Sequence, residues 1–183
     1  SNLWTRIVGS SGNDYAASLG ADSAGNVFFM GYTLGSFDGQ TNAGGYDAFL
    51  TRFASNGTKQ WTRFWGSVAQ DYPFVMTVDQ AGCAYVAGRA LGSVDGQPYA
   101  GSDDAFLFKY QPDGTRQWTR MWGSPQQEAQ VDLATDVAGN CFVAGYTAGS
   151  FDGQTNSGGY DVFLTKYNSA GMKRWSRIWG SPA

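Results

Sequence analysis

Trp61-Thr62-Arg63-Phe64-Trp65-Gly66-Ser67 is one of four statements of a single phrase in this chain. The others are Trp4-Thr5-Arg6-Ile7-Val8-Gly9-Ser10, Trp118-Thr119-Arg120-Met121-Trp122-Gly123-Ser124 and Trp175-Ser176-Arg177-Ile178-Trp179-Gly180-Ser181. The leading tryptophans stand at 4, 61, 118 and 175, a constant step of 57 residues. A fixed period of this size marks stacked supersecondary units, because one such unit cannot bury its apolar face alone. Within the phrase, Trp61, Arg63 and Trp65 fall on one face and Thr62 and Phe64 on the other, the alternation of a strand.

Working outward from the phrase, Ser55-Asn56-Gly57 and Pro112-Asp113-Gly114 precede it with hairpin chemistry. Before them, residues 47–53, 104–110 and 161–167 read as strands. A glycine-rich loop over residues 34–45 lies between these and a further strand at 27–32, matched at 84–89 and 141–146. Asp22 and Gly25 form a turn ahead of that strand: the carboxylate accepts backbone N–H groups and the glycine takes positive φ. A first strand at 15–21 is rich in Ala, Ser and Gly, which suits a crowded position near a central axis.

Four meandering antiparallel strands per unit describe a propeller blade. A solenoid is the competing arrangement, but its repeats are shorter and hairpin-linked meanders stack less easily along one axis. The expected fold is therefore all-β: a β-propeller with three four-stranded blades per chain. The expected divisions are 1–13 for an extra outer strand and linker, then blades at 14–70, 71–127 and 128–183. Closed propellers carry about four to eight blades. Three leave an apolar face and an edge open at each end. Either other copies complete the ring, with a six-bladed dimer favoured, or further blades of a longer chain do so.

The totals narrow the function. The chain has 183 residues, 42% apolar and 16% aromatic, with 26 glycines and a net charge of −3. That charge offers no basic surface for nucleic acid or anionic lipid. No apolar run approaches the roughly 20 residues of a membrane-spanning helix. There is no histidine, so the commonest general base is missing. Twelve of the fifteen acidic residues fall on four repeat positions. Active sites are unique, so this periodicity argues for a non-catalytic chain. Cys83 and Cys141 occupy repeat positions one residue apart and read as small core residues.

The strings Asp22-x-x-Gly25-Asn26-Val27-Phe28-x-x-Gly31-Tyr32-Thr33, Gly44-Gly45-x-Asp47-Ala48-Phe49-Leu50-Thr51-Arg52-Phe53 and Trp61-Thr62-x-x-x-Gly66 resemble the bacterial SBBP β-propeller repeat. The resemblance covers nearly the whole chain. The second copy departs from it with Gln80-Ala81-Gly82-Cys83 and Gly101-Ser102. It implies an exported protein, extracellular or at the cell surface, used as a repeat scaffold with no shared catalytic residues.

Two sets of residues are candidate binding sites. Asp38, Gln40 and Asn42, with Asp152, Gln154 and Asn156, place oxygen donors at alternate residues, as calcium loops do. The middle copy keeps Asp95 and Gln97 but has Tyr99 in the third place. The competing reading is a loop rigidified by bonds from side chain to backbone. Trp61, Trp118 and Trp175 either pack blade on blade or form stacking platforms for a glycan, several weak sites adding avidity. Arg6, Arg63, Arg120 and Arg177 are expected to stack on these indoles or to pair with aspartates. Asp47, Asp104 and Asp161 are expected to cap loop N–H groups or meet an arginine. Arg52, Lys109 and Lys166 read as a solvated face. The functional expectation is a self-assembling scaffold that needs no cofactor. The alternative is a calcium- or carbohydrate-binding module with one weak site per blade.

Overall fold

A computed structural model describes residues 3–182. These residues form three four-stranded antiparallel sheets, each a meander in chain order. Blade 1 holds β1 (Asp14–Ala21), β2 (Val27–Thr33), β3 (Asp47–Phe53) and β4 (Lys59–Trp65). Blade 2 holds β5 (Asp71–Val78), β6 (Ala84–Ala90), β7 (Asp104–Tyr110) and β8 (Arg116–Trp122). Blade 3 holds β9 (Glu128–Thr135), β10 (Cys141–Thr147), β11 (Asp161–Tyr167) and β12 (Lys173–Trp179). The fold is that of propeller blades, all-β and not closed within this chain.

β1, β5 and β9 lie side by side as the inner strands of successive blades. That is where the small residues of 15–21 were expected. Each inner strand carries a bulge, at Ala16/Ser18 in β1 and at Pro73/Val75 in β5. Pro73 sits at such a bulge, a place in a sheet where a residue without N–H is tolerated. Opposite each bulge stands a glycine. A Cβ on Gly88 would lie 2.1 Å from the Tyr72 carbonyl and 2.6 Å from the Phe106 ring, and Gly31 and Gly145 repeat the arrangement.

The core lies between blades. Phe28, Met30, Leu50 and Trp65 of blade 1 meet Val86, Phe106 and Phe108 of blade 2. Tyr85, Leu107 and Trp122 of blade 2 meet Leu133, Val143 and Phe163 of blade 3. Successive residues of a strand point to opposite faces, so each blade feeds both seams. The cysteines follow the same rule. Cys83 on one face of blade 2 and Cys141 on the facing side of blade 3 are buried in the same seam, as free thiols.

Two expectations are corrected. Residues 3–10, expected as an additional outer strand, pair with no strand among the described residues. A strand needs a ladder partner, and these residues contact blade 1 through side chains of Trp4 and Arg6. The row Arg52, Lys109 and Lys166 is not a solvated face. Arg52 pairs with Asp22 at 3.1 Å, and Lys109 is buried over the Tyr85 ring. Lys166 lies over the Phe142 ring. Each places its stem and charge against an aromatic ring near a seam rather than in bulk water.

Candidate functional site

The long loops fold back on a tight turn. Asp38 and Gly39 both have positive φ, 53° and 69°, and Gln40 N donates to the Phe37 carbonyl at 2.9 Å. This is the type I′ geometry that Asp-Gly favours. Asp95-Gly96 and Asp152-Gly153 repeat it. The Asp-Gly pair at 38–39 is itself the sequence signal for this turn.

The turn aims each aspartate at its own blade, away from its loop neighbours. Asp38 accepts from Lys59 and, at 2.6 Å, from Thr62 Oγ1. Asp95 accepts from Arg116 at 2.6 Å and from Thr119 at 2.5 Å. Asp152 accepts from Lys173 and, at 2.6 Å, from Ser176. Burial raises the Asp38 carboxyl, but the bonds from Lys59 and Thr62 outweigh it and hold the group below its usual range. Asn42 donates to the carbonyls of Thr33 and Gly45, and its own oxygen accepts from Gly44 N. Asn156 repeats this with Thr147, Gly159 and Gly158. Gln40 Oε1 accepts from Phe64 N at 3.4 Å. Gln97 lends its carbonyl to Ser93 Oγ, and Gln154 N closes its turn on Phe151. The side chains of Asp38, Asp95, Asp152, Gln40, Asn42 and Asn156 are thus each engaged within their own loop or blade, while Gln97 and Gln154 are bonded through their backbone. Asp38 and Gln40 line one cleft with Lys59 and Thr62, as Asp152 and Gln154 do with Lys173 and Ser176, and among the described residues no group of three or more acidic or thiol side chains is placed to hold a metal ion.

A second row of carboxylates lies in the blade seams. The closing serine of each of the first three phrases donates its N–H to the first acid of the next blade: Ser10 to Asp14 at 2.8 Å, Ser67 to Asp71 at 2.6 Å and Ser124 to Glu128 at 2.8 Å. Asp47, Asp104 and Asp161 cap the loop N–H groups of Ala43, Ala100 and Ser157. Their other oxygens are buried without a hydrogen-bond partner. Those oxygens lie against a glycine: a Cβ on Gly66 would come within 2.3 Å of Asp47 Oδ1. Among the described residues no arginine forms an ion pair with them. Burial, with Asp71 nearby, pushes the Asp47 carboxyl up to about 6, against the Ala43 N–H that lowers it. Burial raises Asp71, Asp104 and Glu128 as well.

The tryptophans and arginines of the phrase form a clasp between blades. Trp61 Nε1 donates to the Pro112 carbonyl at 2.9 Å, and Arg63 Nε to the Gly114 carbonyl at 3.0 Å. Trp118 and Arg120 repeat this on Ser169 at 3.2 Å and Gly171 at 2.6 Å. The guanidiniums of Arg63 and Arg120 lie over their own indoles, at 5.5 and 5.6 Å. The turn glycine presses on the ring. A Cβ on Gly114 would lie 2.8 Å from the Trp61 indole and one on Gly171 2.6 Å from Trp118. These contacts place Trp61 and Trp118 in the seams as packing residues.

Residues 3–10 make the same clasp on blade 1. Trp4 Nε1 donates to the Ser55 carbonyl at 3.0 Å and Arg6 Nε to the Gly57 carbonyl at 2.8 Å. At the other end, Trp175 and Arg177 meet no such turn among the described residues. With Leu164 and Trp179 they line an open groove on the outer face of blade 3. Trp179 is 51% exposed, where Trp65 and Trp122 are 4% and 7%.

Inner strands side by side, cores in the seams and a clasp repeated at each blade define a β-propeller repeat protein. Residues 3–38 match the sequence model of the family described as SBBP, beta-propeller repeat. Over that segment the chain is similar to the SBBP β-propeller repeat. The matched segment joins the first phrase to β1 and β2, so the repeat straddles a blade boundary, as the clasp does. The regulatory protein FlaEY of Caulobacter vibrioides is 29% identical over 150 residues, covering 75% of this chain and 16% of that protein. The chain thus corresponds to a small part of the relative's length.

Proposed function

We propose that this chain is a non-catalytic repeat scaffold, working outside the cell, that associates with copies of itself through its blade faces. One observation carries the reading: blade 3 presents uncovered the surface that blades 1 and 2 bury. Val162 and Trp179 are exposed, while their equivalents Ala105 and Trp122 are buried against blade 3. An apolar face of this kind on a soluble chain marks an interaction surface. The relative's description as a regulatory protein fits a repeat segment that supports contacts within a larger molecule. The repeated polar positions support the same reading, since the clasps, turns and seams already use them.

Light scattering behind a sizing column, over a range of loading concentrations, tests the proposal. The expected result is a concentration-dependent rise from 19.7 kDa to a discrete multiple, with two copies supplying six blades. A mass that stays at that of one chain at every concentration overturns it.

A further inference from the structure

The two ends of the arc are complementary. The open face of blade 3 carries Phe142, Val162, Leu164, Trp175 and Trp179, one repeat on from Tyr85, Ala105, Leu107, Trp118 and Trp122. Blade 3 covers that second set with its own Leu133, Cys141, Val143, Phe163 and Tyr167. Two repeats before that cover, the matching positions lie on the far side of blade 1 as Leu19, Val27, Phe29, Phe49 and Phe53. Leu19 is 72% exposed there. Blade 1 of a second copy therefore offers blade 3 the residue positions that blade 3 itself offers blade 2. The contact is heterologous, one face meeting a different face, and such contacts propagate head to tail until they close.

Residues 3–10 stand in the way. They occupy the blade 1 turn at Ser55 and Gly57, which Trp175 and Arg177 of another copy would clasp. They fill the site incompletely. At the position of Trp65, Trp122 and Trp179 this segment has Val8. In the internal seam, Trp65 packs on Phe106, Phe108 and Tyr110 with ring centroids 5.3–6.3 Å away. Val8 has no ring to supply, and Trp4 instead stacks on Phe53 at 6.1 Å. Leu3 and Ile7 are 89% and 96% exposed, so the segment buries little apolar area of its own. β12 brings the missing indole.

We propose that residues 3–10 are a displaceable plug, holding the docking face of blade 1 until β12 of a second copy replaces them. This rests on the scaffold reading and specifies its polarity and its control. The plug imposes a competition, and the apparent affinity is the intrinsic one reduced by the fraction of open sockets.

Sedimentation of four proteins over a concentration series tests it. Trp4→Ala/Arg6→Ala releases the plug and is expected to move the association midpoint about tenfold lower. Val8→Trp completes the plug and is expected to move it about tenfold higher. Damage to the fold cannot produce both directions, and circular dichroism checks that each variant is folded. Trp179→Lys, at an exposed position, is expected to stay monomeric alone. Mixed with Trp4→Ala/Arg6→Ala, it is expected to form a complex through its own blade 1 face, from which β12 of the other variant displaces residues 3–10 and which a symmetric contact would not allow. Equal midpoints for wild type and both N-terminal variants would overturn the plug and leave the scaffold intact. No association of any protein at any concentration would overturn both.

Discussion

Asp47 has one oxygen capping a loop and the other buried without a partner, and this has a pH consequence. Its folded pKa, about 6, lies above the ordinary value of 3.8. Folding therefore favours the protonated form. The contribution is fully present below the ordinary value and is lost as pH rises through about 6. Asp71, Asp104 and Glu128 are raised by burial and act in the same direction. Asp22 and Asp38 are lowered despite burial, by Asn26 and Arg52 in one case and Lys59 and Thr62 in the other. Their stabilisation disappears only on acidification through their depressed pKa values. Stability by urea unfolding is thus expected to increase as pH falls from 7.5 to 5. Asp47→Asn removes one ionisation and is expected to be more stable than wild type at pH 7.5 by about 1–3 kcal/mol, by roughly half as much at pH 5, and to converge with it only below the ordinary value of 3.8. Parallel curves for the two proteins would contradict the account.

Between strands, the same residue at the same repeat position has a different worth according to what lies across the seam. Trp122 packs against Phe163 and Tyr167 of the next blade, with centroids 6.4 and 5.5 Å away. Trp179 is its equivalent on β12 and is half exposed. Trp122→Ala should cost about 3–5 kcal/mol as a buried aromatic truncation. Trp179→Ala should cost under about 1 kcal/mol in the monomer, as a largely exposed position does. Denaturant midpoints at low protein concentration measure both. Similar losses at the two sites would mean that the seams are not where the stability resides. The clasp adds direction to this packing, because indole and guanidinium N–H groups each find a turn carbonyl in the next blade. Such bonds are worth about 1 kcal/mol apiece, and they fix the blade order more than they add stability.

For the whole molecule, the loops and the open ends lead to opposite expectations. The Asp38, Asp95 and Asp152 carboxylates are already engaged by Lys59, Arg116 and Lys173. A ligand that binds only the folded state raises its stability with concentration. Millimolar calcium is therefore expected to leave the melting temperature unchanged, and a chelator likewise. A saturable rise with calcium would show that the loops rearrange to bind it. The exposed ends, by contrast, should make thermal stability rise with protein concentration, since association buries Trp179 and Leu19.

What the sequence determined by itself is the repeat and nearly every strand in it. The 57-residue step, the Asn-Gly and Asp-Gly turns and the alternation around each Trp are local signals. Backbone conformation and side-chain direction act over a few residues, so such signals place β1 to β12 without knowledge of their neighbours. The roles of the repeated polar residues were less legible. The bonds of Asp38 were not legible because its partners, Lys59 and Thr62, lie 21 and 24 residues away. Lys109 looked solvated because the ring beneath it belongs to a different strand. The two cysteines share a seam because opposite faces of successive blades meet, which no single repeat reveals. Only the tertiary structure decided which faces are covered, which carboxylates are buried without partners and what residues 3–10 hold. Each depends on a neighbouring blade, and contact between blades is a property of how the units stack rather than of any unit alone.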